Sequence, residues 1–104
     1  MRNLEEIIQV PGIDVIFVGP YDLSQSLGKP GKVKDPEIIE CIRKSVEVVN
    51  KHGLVCGSFA ADEEYLDMLL ALGVQYITYS VDSAMVVDIY KEAYDTFKGK
   101  VGRV

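Results

Sequence analysis

Three short apolar runs rich in β-branched residues, at positions 13–18, 54–59 and 74–79, alternate with segments whose apolar residues recur every three or four positions. That alternation is the pattern of strand–helix–strand crossovers, and strands joined this way lie parallel in one sheet with right-handed connections. The chain opens mid-unit, on a helix in which Leu4, Ile7 and Ile8 share a face and which Pro11-Gly12 ends. The predicted order is α-β-α-β-α-β-α, an α/β fold of three parallel strands with flanking helices.

Local chemistry marks the helix ends. Asp35 is placed to cap a helix over residues 36–52, Pro36 suits its first position, and Ile38, Ile39, Ile42, Val46 and Val49 form its apolar face before Gly53 closes it. Asp62 caps the next helix, whose apolar face is Tyr65, Leu66, Leu69, Leu70 and Leu72, ended by Gly73. A last helix begins at Ser83, capped by Asp82 or Ser83, carries Met85, Val86, Ile89, Tyr90, Ala93 and Phe97, and stops at Gly99. Residues 21–34 read as a loop.

Several function classes are excluded by what the chain carries. Its 104 residues have a net charge of −5 and scattered basic residues, which does not suit nucleic acid. The one local basic cluster, Lys29, Lys32 and Lys34, falls in a Gly/Pro-containing loop and reads as solvated in preference to an anion site. No apolar run is long enough for a membrane helix, and the acidic start lacks the pattern of a secretory signal, so a cytoplasmic protein with no membrane partner is expected. Cys41 and Cys56 have no metal or redox spacing and are expected to be reduced and structural. His52 sits where an imidazolium would favour a helix C-terminus, and the tyrosines 65, 76, 79, 90 and 94 read as core or interface.

Three parallel strands leave two open edges and, with helices on one side only, one bare face. Ordering 104 residues costs on the order of 150 kcal/mol, so association through the missing surfaces, as a homo-oligomer, is expected.

Residues 15–24, Val-Ile-Phe-Val-Gly-Pro-Tyr-Asp-Leu-Ser, carry the most chemistry: a buried strand running into a turn that sets a carboxylate just past its carboxyl end, where parallel α/β folds place ligands. Gly19 permits close backbone approach, Pro20 stiffens the turn, and the amides of Tyr21 and Asp22 can face an anion. Asp22 alone has the charge to hold a divalent metal there. The residues by themselves favour a plainer reading, in which Asp22 caps the following turn with help from Ser24.

The stretch from residue 12 to 28, Gly-Ile-Asp-Val-Ile-Phe-Val-Gly-Pro-Tyr-Asp-Leu-Ser-Gln-Ser-Leu-Gly, closely resembles the signature of the HpcH/HpaI aldolase/citrate lyase family. The similarity continues through Pro30-Gly31, Asp35-Pro36-Glu37, Gly53, Gly57, Ala60-Ala61-Asp62, Leu72-Gly73 and Val81-Asp82, across essentially the whole chain. The resemblance implies a partial TIM (β/α)8-barrel domain over residues 1–104, with the three strands as the sixth to eighth of the barrel. It implies a carbon–carbon lyase acting on 2-keto acids such as pyruvate with a divalent Mg, Mn or Co ion. Asp22 then matches the family's metal-binding Asp, and Gly19, Pro20, Tyr21 and Asp22 the turn that holds the pyruvate carboxylate. Phe59 and Val81 match positions lining the pocket for the aldehyde part, and Ser80 stands where many relatives carry Gly. The family's second metal carboxylate and its catalytic Arg and His/Asp pair have no counterpart among these residues. No catalytic residue is therefore assigned, and little or no aldolase activity is expected of the chain alone; the alternative reading is a non-catalytic oligomeric barrel fragment that at most binds metal or an oxyanion. A flavodoxin-like binding module is disfavoured by too few strands and no phosphate loop.

Overall fold

The structure is a computed structural model that describes residues 2–102. It runs α1 (Leu4–Ile7), β1 (Val15–Val18), α2 (Pro20–Ser26), α3 (Pro36–Lys51), β2 (Val55–Ala60), α4 (Glu63–Leu72), β3 (Tyr76–Tyr79) and α5 (Asp82–Val101). The strands form one parallel sheet in the order β1-β2-β3, with Val18 opposite Ser58 and Ser58 opposite Ile77. The α/β architecture is the one the alternation predicts.

Side chains alternate across a strand, so the register sorts the sheet into two faces. Ile16, Val18, Cys56, Ala60 and Ile77 pack into the core with α3 and α4. There Ile38, Ile42 and Val49 of α3 and Leu69 of α4 are wholly buried, and each contributes on the order of 2 kcal/mol by leaving water. The opposite face is open. Phe17 (46% exposed) and Tyr76 (52%) meet edge-on there, ring centroids 6.5 Å apart. Between them lies Gly57, where a Cβ would come within 3.0 Å of both rings. The central strand carries a glycine because two aromatic rings fill the space above it.

The expected caps are present. The Asp35 carboxylate accepts from the Glu37 amide at 2.9 Å, and Asp62 accepts from the Tyr65 amide at 2.8 Å. Those amide bonds, the largest influence on each group, hold both carboxyls below the usual carboxylate range. His52 ends α3, its Nδ1 against the Val48 carbonyl at 2.8 Å, and Gly53 follows with φ 75°, the left-handed turn a side chain would oppose. Both cysteines are free, and the burial that leaves Cys56 without exposed surface pushes its thiol up, which disfavours the thiolate.

Other expectations are corrected. Residues 21–34 are not all loop: Pro20 opens a helical turn, α2, that runs to Ser26. Ile7 is exposed while Leu4 and Ile8 are buried, because α1 is a single turn that offers little more than two positions to the core. Leu70 of α4 is also exposed, and Tyr65 is the one buried tyrosine. The last helix starts at Asp82, with Val81 as its cap residue, and passes through Gly99 to Val101. A helix interior tolerates one glycine at a cost of about 1 kcal/mol, and closure falls to Gly102 at φ 69°. No residue of α5 is buried. Its 20 residues make about 30 Å of helix, half of a 60 Å long axis, and the radius of gyration is 17.6 Å, against about 13 Å for a compact chain of this length. No helix of the described residues is long and apolar enough to cross a membrane.

The segment after α2 is held on both sides. Buried Ser24 donates to the Tyr21 carbonyl at 2.7 Å and accepts from the Gly31 amide at 3.1 Å. Tyr65 on α4 donates its hydroxyl to the Val33 carbonyl at 3.1 Å. Ser80, just past β3, sits at φ 57°, the one non-glycine in left-handed conformation among the described residues.

Two substitutions test these features by chemical denaturation. Ser24→Ala leaves the Gly31 amide without its partner and is expected to cost roughly 1–3 kcal/mol. Ser80→Gly relieves the left-handed strain and should stabilise the chain by about 1 kcal/mol; unchanged or lower stability would show that the serine side chain compensates for its backbone.

Candidate functional site

Because the strands are parallel, Gly19, Ala61 and Ser80 leave the sheet at the same end. β1 and β3 are two strand spacings apart there, about 10 Å. Two clefts open at this end, one on each side of the first turn of α2.

The first, about 580 Å³, is lined by Phe17, Gly19, Asp22, Leu23 and Arg2, with Ile7 beyond them. Gly19 is the cap residue of α2, and Pro20 at the first helical position is fully buried, which fixes the direction of the turn. Asp22 is exposed, and its carboxylate folds back over Gly19: a Cβ at Gly19 would stand 3.0 Å from Asp22 Oδ2. Glycine at this position leaves room for the carboxylate. Asp22 does not cap α2, and no hydrogen bond or ion pair of the described residues engages it. The hydroxyl of Ser24, not the carboxylate of Asp22, stabilises the turn. The amides of Tyr21 and Asp22 belong to the first helical turn, where N–H groups lack intrahelical acceptors.

The second cleft, about 450 Å³, has Tyr21 and Phe59 as its floor, their rings edge-on with centroids 6.0 Å apart. Its walls are residues 31–35 and the start of α4, including Asp62 and Tyr65. Burial, first, with smaller effects from Tyr21 and Asp62, pushes the Tyr65 hydroxyl up to about 12, so it remains a donor to Val33 through the neutral range.

The six residues singled out in the sequence are therefore distributed. Gly19 and Asp22 share one cleft, Tyr21 and Phe59 share the other, Pro20 is buried beneath the turn, and Val81 lines neither, standing exposed at the head of α5. Phe17 and Arg2 beside Asp22 were not anticipated. For Phe17 a signal existed: it alternates with Val18, so it had to face away from the helices. Nothing in the local pattern marks Arg2, which reaches the cleft only because α1 folds beside β1.

Asp22 offers a hard oxygen ligand of the kind Mg²⁺ or Mn²⁺ accepts. The described residues gather no group of three or more His, Cys, Asp or Glu that could hold an ion. They fit one ligand of a metal site, not a complete set.

Residues 1–88 match the family model described as HpcH/HpaI aldolase/citrate lyase. The chain is 36% identical over 103 residues to 2-keto-3-deoxy-L-rhamnonate aldolase of Escherichia coli (strain K12), covering 98% of this chain and 39% of that enzyme. In structure it is similar to an HpcH/HpaI aldolase/citrate lyase family protein from Burkholderia cenocepacia J2315, with a TM-score of 0.88 and 28% identity over 93% of this chain and 38% of that one. It is also similar to citrate synthase SbnG, with a TM-score of 0.83 and 31% identity over 96% of this chain and 41% of that one. The chain thus spans 39% of the length of the curated relatives it matches. It belongs to the HpcH/HpaI aldolase/citrate lyase family.

Proposed function

We propose that this chain provides the sixth to eighth strands of a (β/α)8 barrel whose lyase reaction makes or breaks a carbon–carbon bond in a 2-keto acid, with pyruvate as product or donor. The observation that supports the reading is the unengaged Asp22 carboxylate, folded over Gly19 at the carboxyl end of β1 within a cleft. In this reading Asp22 is one ligand of a divalent ion such as Mg²⁺, Mn²⁺ or Co²⁺. When bound, such an ion acts as a Lewis acid toward the keto oxygen. The amides of Tyr21 and Asp22 meet the keto acid's carboxylate, with the positive end of α2 contributing. Phe17 and Leu23 supply the apolar side of the cleft and limit water around the bound carboxylate. Phe59, with Tyr21, lines the space for the aldehyde part, and Val81 borders it in the assembled protein.

One carboxylate is a weak hold on a metal, and none of the six residues is a base placed to move a proton. The 104 residues alone are expected to catalyse little or no exchange of pyruvate methyl protons with solvent in the presence of Mn²⁺ or Co²⁺, followed by NMR. Exchange that Asp22→Ala abolishes would show the chain sufficient and refute this. In a polypeptide supplying the remaining strands, Asp22→Asn is expected to lower kcat/KM by more than the roughly 10- to 100-fold that loss of a ligand's hydrogen-bond partner costs.

A second reading, a non-catalytic oligomer that at most binds metal or an oxyanion, is favoured by the bare sheet face and by α5. Met85, Val86, Ile89, Tyr90 and Phe97 are all at least half exposed along that helix, an apolar stripe suited to a second copy of the chain. Sedimentation of the 104-residue chain should accordingly show a species larger than the monomer; a monomer at all concentrations would contradict the association.

A further inference from the structure

Ser24, Ser45 and Ser58 are buried serines whose hydroxyls do different work. That of Ser45 stays on its own helix, donating to the Cys41 carbonyl at 2.6 Å, and that of Ser24 serves α2 and the loop behind it. Ser58 instead joins two strands: from β2 it donates to the Val18 carbonyl of β1 at 2.8 Å, across 40 positions of sequence. By alternation along β2 it lies on the side of Cys56 and Ala60, both core residues, and it is wholly buried. A hydroxyl without a partner in that layer would cost more than an apolar side chain, so its presence there is tied to the bond it makes with β1.

Val18 is the last residue of β1, and Val18 with Ser58 is the last pair of the β1 and β2 ladder. The next residue, Gly19, has no side chain to restrict its backbone, so the course of the turn depends on how the chain enters it. The Val18 carbonyl and the Gly19 N–H belong to one planar peptide group, and a bond that fixes that oxygen also fixes the plane from which Gly19 departs. Two features of the site follow from Gly19. Its carbonyl accepts from the Leu23 amide at 2.9 Å, the opening bond of α2, and the Asp22 carboxylate folds back over it.

We propose that Ser58 is a positioning residue for the Asp22 turn: its hydroxyl, acting through the Val18 carbonyl, holds the Gly19 backbone in the course that presents the Asp22 carboxylate to a ligand. The inference rests on the reading of Asp22 as one ligand of a divalent ion. Ser58, wholly buried on the helix side of the sheet, meets no ligand itself. Its effect passes through one peptide plane and the glycine that follows.

The test compares the 104-residue chain with Ser58→Ala, with Ser58→Cys, which keeps the size but donates poorly, and with Ser58→Thr, which keeps the hydroxyl. Ser45→Ala, which removes a buried hydroxyl bond within α3, is the control. Solvent exchange of the Leu23 amide, read by NMR against the core amides of Ile42 and Leu69, is expected to quicken roughly fivefold in Ser58→Ala and Ser58→Cys, the factor one intramolecular hydrogen bond is worth. Ser58→Thr and Ser45→Ala should leave it unchanged. Added Mn²⁺ is expected to broaden the Gly19 and Asp22 amides, an effect that Asp22→Asn removes and that Ser58→Ala weakens by the same roughly fivefold factor. Should Ser58→Ala fail to fold, Ser58→Cys carries the comparison. Leu23 exchange that the Ser58 variants leave unchanged, or that Ser45→Ala quickens equally, overturns the positioning role, and so does faster exchange with Mn²⁺ broadening unaltered. If Mn²⁺ broadens nothing at residues 19–22 of the unsubstituted chain, the reading of Asp22 as a metal ligand fails, and the exchange comparison, with rescue by Ser58→Thr, decides whether Ser58 orders the turn.

Discussion

Packing of α3 and α4 onto one face of the central strand β2 is the interaction on which the rest depends. Ile38, Ile42 and Val49 from α3 and Leu69 from α4 meet Cys56 and Ala60 in a continuous core, and the parallel register carries that order outward to β1 and β3. A parallel sheet ordinarily has both faces covered. Here one face has its helices and the other presents Val15, Phe17 and Tyr76. The same packing that orders the strands therefore leaves an apolar surface, which a complete barrel of the family would enclose.

The order of the sheet also creates the site. Parallel strands deliver three connections to one end, and their small or short residues decide what can stand there. Gly19 admits the Asp22 carboxylate over the backbone, and Gly57 admits two aromatic rings over the sheet. Ser24 works from beneath, joining Tyr21 to Gly31 through one buried hydroxyl. It thereby couples the turn that presents Asp22 to the loop that follows α2.

Relatives in this family include an aldolase of a deoxy sugar acid and a citrate synthase. In this chain the Asp22 turn is framed by glycine and proline, while the neighbouring cleft is lined by the rings of Tyr21 and Phe59.

Much of this was legible in the residues. Strand and helix order, the caps at Asp35 and Asp62 and the closing Gly53 follow from alternation and from side chains that satisfy nearby amides, which are local interactions within a few positions. The α2 turn was obscured because its seven residues, mixed in character and led by Gly-Pro, carry no helical period. The end of α5 was misplaced because Gly99 weakens a helix without being required to stop it. The fates of individual site residues were not local at all. Whether Asp22 capped its turn or stood free depended on Ser24 taking the structural role, Phe17 joined the site through the facing of the sheet, and Lys34 found its partners only because folding brought Asp62 and Glu64 to it. Composition and periodicity determine which elements form, since those energies act along the chain. Which side chains meet, and which are left without a partner, is decided by tertiary structure, since those energies depend on distances between segments that only folding sets.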